Sequence, residues 1–152
     1  MAAGTAFQEL VELIARLRAP GGCPWDREQT HRSLKPMTIE EAYEVLEAID
    51  EGDDQELAGE LGDLLLQVVF HAQIATDERR FTILDVIRHV SEKMVRRHPH
   101  VFGGESAADS AQVLRNWEAL KQAEREEKGV PTAAASMLDP VSSRLPAVLE
   151  AY

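Results

Sequence analysis

One cysteine, Cys23, stands alone among 152 residues, so the chain can close no disulfide within itself. A reducing cytoplasm fits that usage. Aromatic residues reach only 5% and β-branched runs are scarce, which leaves little from which to build strands. No uninterrupted apolar run approaches the roughly 20 residues needed to cross a bilayer, so no membrane span is expected. The N-terminus lacks the basic-then-apolar pattern of a secretory signal. Positive charge is short too: 16 Lys and Arg face 27 Asp and Glu, a formal net charge of -11 at pH 7. A duplex binder needs a positive footprint, so a nucleic acid polymer is not an expected partner, although a local basic patch could still hold phosphate.

What the chain has in quantity is Ala, Leu, Glu and Arg, which favour helix. With 44% hydrophobic and 28% charged residues it is globular, and its length suffices for one domain with a core. Residues 6 to 18 place Phe7, Leu10, Val11, Leu13, Ile14 and Leu17 on one broad stripe, predicting an amphipathic helix that Pro20-Gly21-Gly22 stops. Cys23 to Pro36 mixes Trp25 with Asp26, Arg27, Gln29, Thr30, His31, Arg32 and Lys35 between two prolines. It is expected to be a loop plus a short helix, either near the mouth of a site or a solvated connector anchored by Trp25.

The stretch from Thr38 to Asp63 organises the rest. It predicts two helices joined by the acidic turn Glu51-Gly52-Asp53-Asp54. On the first, Glu40 and Glu44 are i,i+4, Glu41 and Glu44 are i,i+3, and Glu47 follows; on the second, Glu60 and Asp63 are i,i+3. Such spacings put side chains on one helix face. If the helices pack antiparallel, four or five carboxylates converge. They repel unless a cation sits among them, and a set of hard oxygen ligands suits Mg²⁺ or Mn²⁺. Thr38-Ile39-Glu40-Glu41 also fits a capping box, with Thr38 as N-cap and Glu41 at N3, so Glu41 has two roles open to it. Carboxylates in a first turn are favoured by the helix dipole in any case.

The second helix, Gln55 to about Thr76, is apolar nearly all round and should be central. Glu60 and Asp63 sit in that apolar setting beside Gly59 and Gly62, where a buried carboxylate is costly without a partner. The glycines suit close approach of a backbone or ligand. Gln67 and His71 lie further along; a lone helical histidine is more often packed or hydrogen-bonded than a ligand. A fourth helix, Phe81 to Arg97, ends in the basic run Lys93-Met94-Val95-Arg96-Arg97-His98, explained either by the helix dipole or by a phosphate clamp. A last helix from Asp109 or Ser110 to about Lys128 carries Trp117 and Lys121 at i,i+4: a core tryptophan beside a surface lysine, or a stacking plate with a cation for phosphate. Residues 129–152 change character, with Gly129, Pro131, Pro140 and Pro146 breaking an Ala/Ser-rich tail.

Glu40-Glu41-x-x-Glu44, fifteen intervening residues and Glu60-x-x-Asp63 resemble the EExxE…ExxD signature of MazG-type nucleoside triphosphate pyrophosphohydrolases. CPWDREQT (23–30), ELGDLLLQVVFHA (60–72), KMVRRHPHVF (93–102) and the Trp117…Lys121 pair extend the resemblance over roughly residues 7 to 128. It implies an all-α fold, an antiparallel bundle of about five helices whose core four-helix bundle is completed by oligomerisation into a homodimer or homotetramer. The activity implied is Mg²⁺-dependent cleavage of nucleoside triphosphates to monophosphate and pyrophosphate, with Mn²⁺ as a substitute, in house-cleaning of damaged nucleotides in the cytoplasm. By position, Glu41, Glu44, Glu60 and Asp63 would hold metal. Glu40 would act with Glu41 in catalysis, and Lys93, Arg97, Trp117 and Lys121 would bind the nucleotide. Residues 1–128 would be one catalytic domain and 129–152 a tail or connector. Many full-length relatives carry two tandem modules and this chain has one, so a natural short form and a shortened piece are both open. The alternatives are a narrow-substrate enzyme, dUTPase-like or phosphoribosyl-ATP pyrophosphatase-like, and a non-catalytic acidic module.

Overall fold

A computed structural model describes residues 2–104 and 106–127. The Pro/Ala-rich stretch 129–152 lies outside them. The described residues form seven helices and no strand: α1 Ala3–Arg18, α2 Pro24–Glu28, α3 Lys35–Glu51, α4 Asp54–Asp77, α5 Ile83–Arg97, α6 Pro99–Phe102 and α7 Ser110–Glu127. The fold is all-α, and its five long helices are those expected from the apolar periodicity. The chain divides into two compact units, Met1–Ser91 and Glu92–Tyr152.

In the first unit α1, α3 and α4 build the core. Ile14, Leu34, Val69, Phe70 and Ile74 are buried together, with Phe7, Leu10, Val11, Leu17, Met37, Leu66 and Ile83 packed around them. The α1 contribution recurs at three- and four-residue intervals, as a helix needs to bury one stripe. Its end is set at Gly22, where a Cβ would collide with the Leu17 carbonyl oxygen. Only glycine lets the chain turn back so closely that the Cys23 amide bonds Leu17 O at 2.8 Å.

The connector to α3 is tied down, though not by Trp25, which is 50% exposed. Leu34 does it from the core side. Arg18 does it from α1, donating to Asp26 O at 2.5 Å and Gln29 O at 3.2 Å while its Nε pairs with Asp77 at 2.7 Å. Three acceptors hold the guanidinium through its Nε and Nη1.

Helix α3 begins earlier than the capping box requires. Its N-cap is Leu34, with no side-chain cap, and Pro36 occupies the first turn, where the missing N–H costs nothing and the fixed φ is already helical. Thr38 is therefore inside the helix. Its hydroxyl donates back to Leu34 O at 3.1 Å, and the Thr38–Glu41 capping box does not form. Gly52 ends α3 in the left-handed region, φ 71°, its amide returning to Ala48 and Ile49. Asp53 then caps α4, accepting from Gln55 N at 2.8 Å and Glu56 N at 3.1 Å. The turn predicted at 51–54 thus has a specific chemistry at each step. Helix α4 is central over its second half, where Val69, Phe70, Ala72, Ile74 and Ala75 are buried. Leu61 and Leu65 in its first half, and Val68 just past its middle, are exposed. Gly59 and Gly62 have nothing within 4 Å of a Cβ position, so neither serves close packing within the described chain.

The second unit contains the end of α5, α6 and α7. None of its residues on these helices is fully buried. Asp109 sits just before α7 and accepts from Gln112 N at 2.7 Å, which fixes the start of that helix at the expected place.

Candidate metal and nucleotide sites

The α3–α4 pairing brings acids from two helices to one place. Glu41, Glu60 and Asp63 each offer one carboxylate oxygen, and those atoms lie within 4.8 Å of one another. Glu44, one turn beyond Glu41, adds its charge to the surroundings of both Glu41 and Glu60. Next to it, Glu44, Glu47, Glu51, Glu56 and Glu60 line a cavity floored by Ala48. Glu40 is exposed and outside the three-carboxylate group.

Crowding shows in the titration of the acids. The Glu41 carboxyl is pushed above its usual range, first by burial, then by the charge of Asp63 and by Glu44. Glu60 is pushed up by burial, then by Glu44, Glu56 and Asp63. Like charges at such separations disfavour one another. One contact works the other way: Gln67 Nε2 donates to Glu41 Oε1 at 3.4 Å. Three or four anionic oxygens, with no cation from the described residues among the contacts of Glu41 and Glu60, form a donor set that fits a hard divalent ion.

Beside this cluster lies a second polar group. His71, on α4, approaches Thr38 Oγ1 with Nε2 at 3.2 Å and His31 Nδ1 with Nδ1 at 2.8 Å. Arg80 bonds the far nitrogen of His31. His71 therefore hydrogen-bonds and packs, as expected of a lone helical histidine. Burial, then the nearby His31, lowers its pKa.

In the second unit the cations are organised around Glu124. Arg97 pairs with it at 2.5 Å and Arg96 at 2.8 Å, and these two guanidinium groups hold the Glu124 carboxyl down to about 2. The Arg97 guanidinium lies over the Trp117 ring, 5.3 Å from its centroid, and His98 meets the same ring edge-on at 5.0 Å. Trp117 is half-buried, neither core nor free. Lys121 pairs with Glu118 at 2.9 Å, and Lys93 shares the α5 face of Arg97, four residues before it. All four nucleotide-binding candidates thus belong to Glu92–Tyr152, and all the candidate metal ligands to Met1–Ser91.

Two partners of these residues were not among the candidates. Gln67 has a readable signal, since Glu60, Asp63 and Gln67 stand at i, i+3 and i+7 of one helix. Glu124 has none, because its pairing with Arg97 spans 27 residues.

Comparison with known proteins matches residues 29–102 to the model of the MazG nucleotide pyrophosphohydrolase domain. Residues 29–102 belong to the MazG family. Among curated relatives, the "nucleoside triphosphate pyrophosphohydrolase/pyrophosphatase MazG" of Thermotoga maritima is 55% identical over 126 residues, which is 83% of this chain and 48% of that protein. The "nucleoside triphosphate pyrophosphohydrolase" of Escherichia coli (strain K12) is 50% identical over 146 residues, 95% of this chain and 54% of that protein. The Bacillus subtilis "uncharacterized protein YabN" is 54% identical over 145 residues, 95% of this chain but 29% of that protein. The chain spans about half the length, or less, of these relatives. The MazG segment contains the five acids of the signature, Gln67, Lys93 and Arg97; Trp117, Lys121 and Glu124 lie beyond it.

Proposed function

We propose that the chain hydrolyses nucleoside triphosphates, ribo- or deoxyribo-, to the monophosphate and pyrophosphate, with Mg²⁺ held by Glu41, Glu44, Glu60 and Asp63. The observation that supports it best is the convergence of Glu41, Glu60 and Asp63 from two helices within a MazG segment. Mn²⁺, equally content with oxygen ligands, should substitute. The bound metal would supply charge neutralisation for the phosphates and would acidify water. The protein's own side chains do the rest. Crowded acids favour any arrangement that brings positive charge among them. Glu41 and its exposed neighbour Glu40 are the bases proposed to order the attacking water and take its proton. Lys93, Arg97 and Lys121 are proposed to hold phosphate, and Trp117 the base or sugar. The domain would comprise residues 1–128, with 129–152 as connector, and would work as a homodimer or homotetramer.

The cellular role proposed is removal of damaged or non-canonical nucleotides. Pyrophosphate release over a panel of ordinary and damaged nucleotides, with Mg²⁺ and then Mn²⁺, tests this. Release that requires the metal and is lost in Glu60→Gln is expected. No release from any triphosphate with either ion would sink the proposal.

A further inference from the structure

Gln67 is the one buried polar side chain among the described residues, 6% exposed and next in sequence but one to the core residue Val69. A carboxamide in such a place is favourable only if its polar atoms are bonded. Its Nε2 donates to Glu41 Oε1, whereas its own Oε1 is buried with no partner among the described residues. An amide retained only for stability would be better replaced by an apolar side chain of the same shape. The half that is satisfied is the half that reaches Glu41.

Glu41 needs such a tie. Its carboxylate faces Asp63 and Glu44, and repulsion between like charges favours swinging a flexible side chain out toward water. We infer that Gln67 is a positioning residue: its amide fixes the rotamer of Glu41 in which the carboxylate meets those of Glu60 and Asp63. This rests on the metal site proposed above. Outer partners that orient a ligand are commonly worth ~10–100-fold in metal affinity.

The test is a Mn²⁺ titration of the full chain, read by loss of the paramagnetic resonance of free Mn²⁺, for wild type, Gln67→Leu, Gln67→Met and Glu60→Gln. Both Gln67 variants should fold and melt at or above wild type, since an unpaired buried oxygen is gone. They should bind Mn²⁺ about 10-fold or more weakly. The Mg²⁺ concentration for half-maximal turnover should rise in proportion, while KM for the nucleotide at saturating Mg²⁺ stays unchanged. A folded variant that binds Mn²⁺ as wild type does, while Glu60→Gln loses binding, overturns the role of Gln67 alone. Equal binding by wild type and Glu60→Gln overturns the metal site and the inference with it. If both Gln67 variants unfold, the amide is structural and the inference fails.

Discussion

At Asp63 a single atom separates charge from shape. Asp63→Asn keeps the outline and removes one negative charge from the group it forms with Glu41 and Glu60. Because Asp63 helps push both neighbours up, its neutralisation should leave the melting temperature of the metal-free protein unchanged or slightly higher. Turnover should nonetheless fall by more than the ~10–100-fold expected for losing an outer partner. Near-full activity in that variant would remove Asp63 from the site. Arg97→Ala should weaken triphosphate binding for every base, since phosphate is common to all, whereas Trp117→Ala should reorder preference among bases. A large fall in melting temperature with base ranking unchanged would make Trp117 a packing residue. The acids were legible because their spacing is local. Whether Glu41 caps α3 was not legible, because Thr38-x-x-Glu41 satisfies the capping pattern and only the position of Pro36 in the fold decides against it.

At the scale of helices, lengths and order were legible from periodicity, and the start of α3 was not. Local capping chemistry favoured Thr38, whereas burial of Leu34 and the fit of Pro36 in a first turn draw the start back to Lys35. The α3–α4 pairing could be anticipated from the acids on each helix, but that of α5 with α7 was hidden, since no local pattern joins Arg97 to Glu124. That pairing has a pH signature. The Glu124 pKa in the fold, about 2, lies below its ordinary 4.5. Its contribution is therefore present above about pH 4.5 and is lost as pH falls toward 2. Protection of α7 amides against hydrogen exchange, taken relative to their intrinsic rates at each pH, should fall over that interval, and Glu124→Gln should show the lower protection already at pH 7. His71 predicts a second, separate window. Its pKa is lowered in the fold, so the folded state resists protonation, and stability present above pH 6.5 declines as pH drops through the folded value. Comparing melting at pH 7.5 and 5.5, wild type should lose more than His71→Gln; an equal loss would show that protonation of His71 is not what the fold resists.

The whole molecule is where charge and apolar surface meet. No helix among the described residues is long and apolar enough to cross a membrane. Yet α3 and α4 leave large side chains in water: Ile39, Leu46, Ile49, Leu61, Leu65 and Val68 are each between 40% and 54% exposed. Single exposed apolar residues are ordinary, but Leu61, Leu65 and Val68 stand at i, i+4 and i+7, a continuous stripe on one helix. An isologous contact between two copies places the same stripe against itself. The first half of α4 was expected to be central from its sequence, and an assembly of copies would make it so. Sedimentation at micromolar concentration should therefore give a mass above 16.9 kDa. Leu61→Glu with Leu65→Lys should return it to the monomer mass. The melting temperature of wild type should rise with protein concentration, as it does whenever association stabilises the fold, and that of the double variant should not. Because Leu61 and Leu65 are 50% and 40% exposed, the substitutions remove only part of the packing of a core side chain. A wild type that sediments as a monomer at full activity would leave the stripe without a partner copy and defeat the assembly.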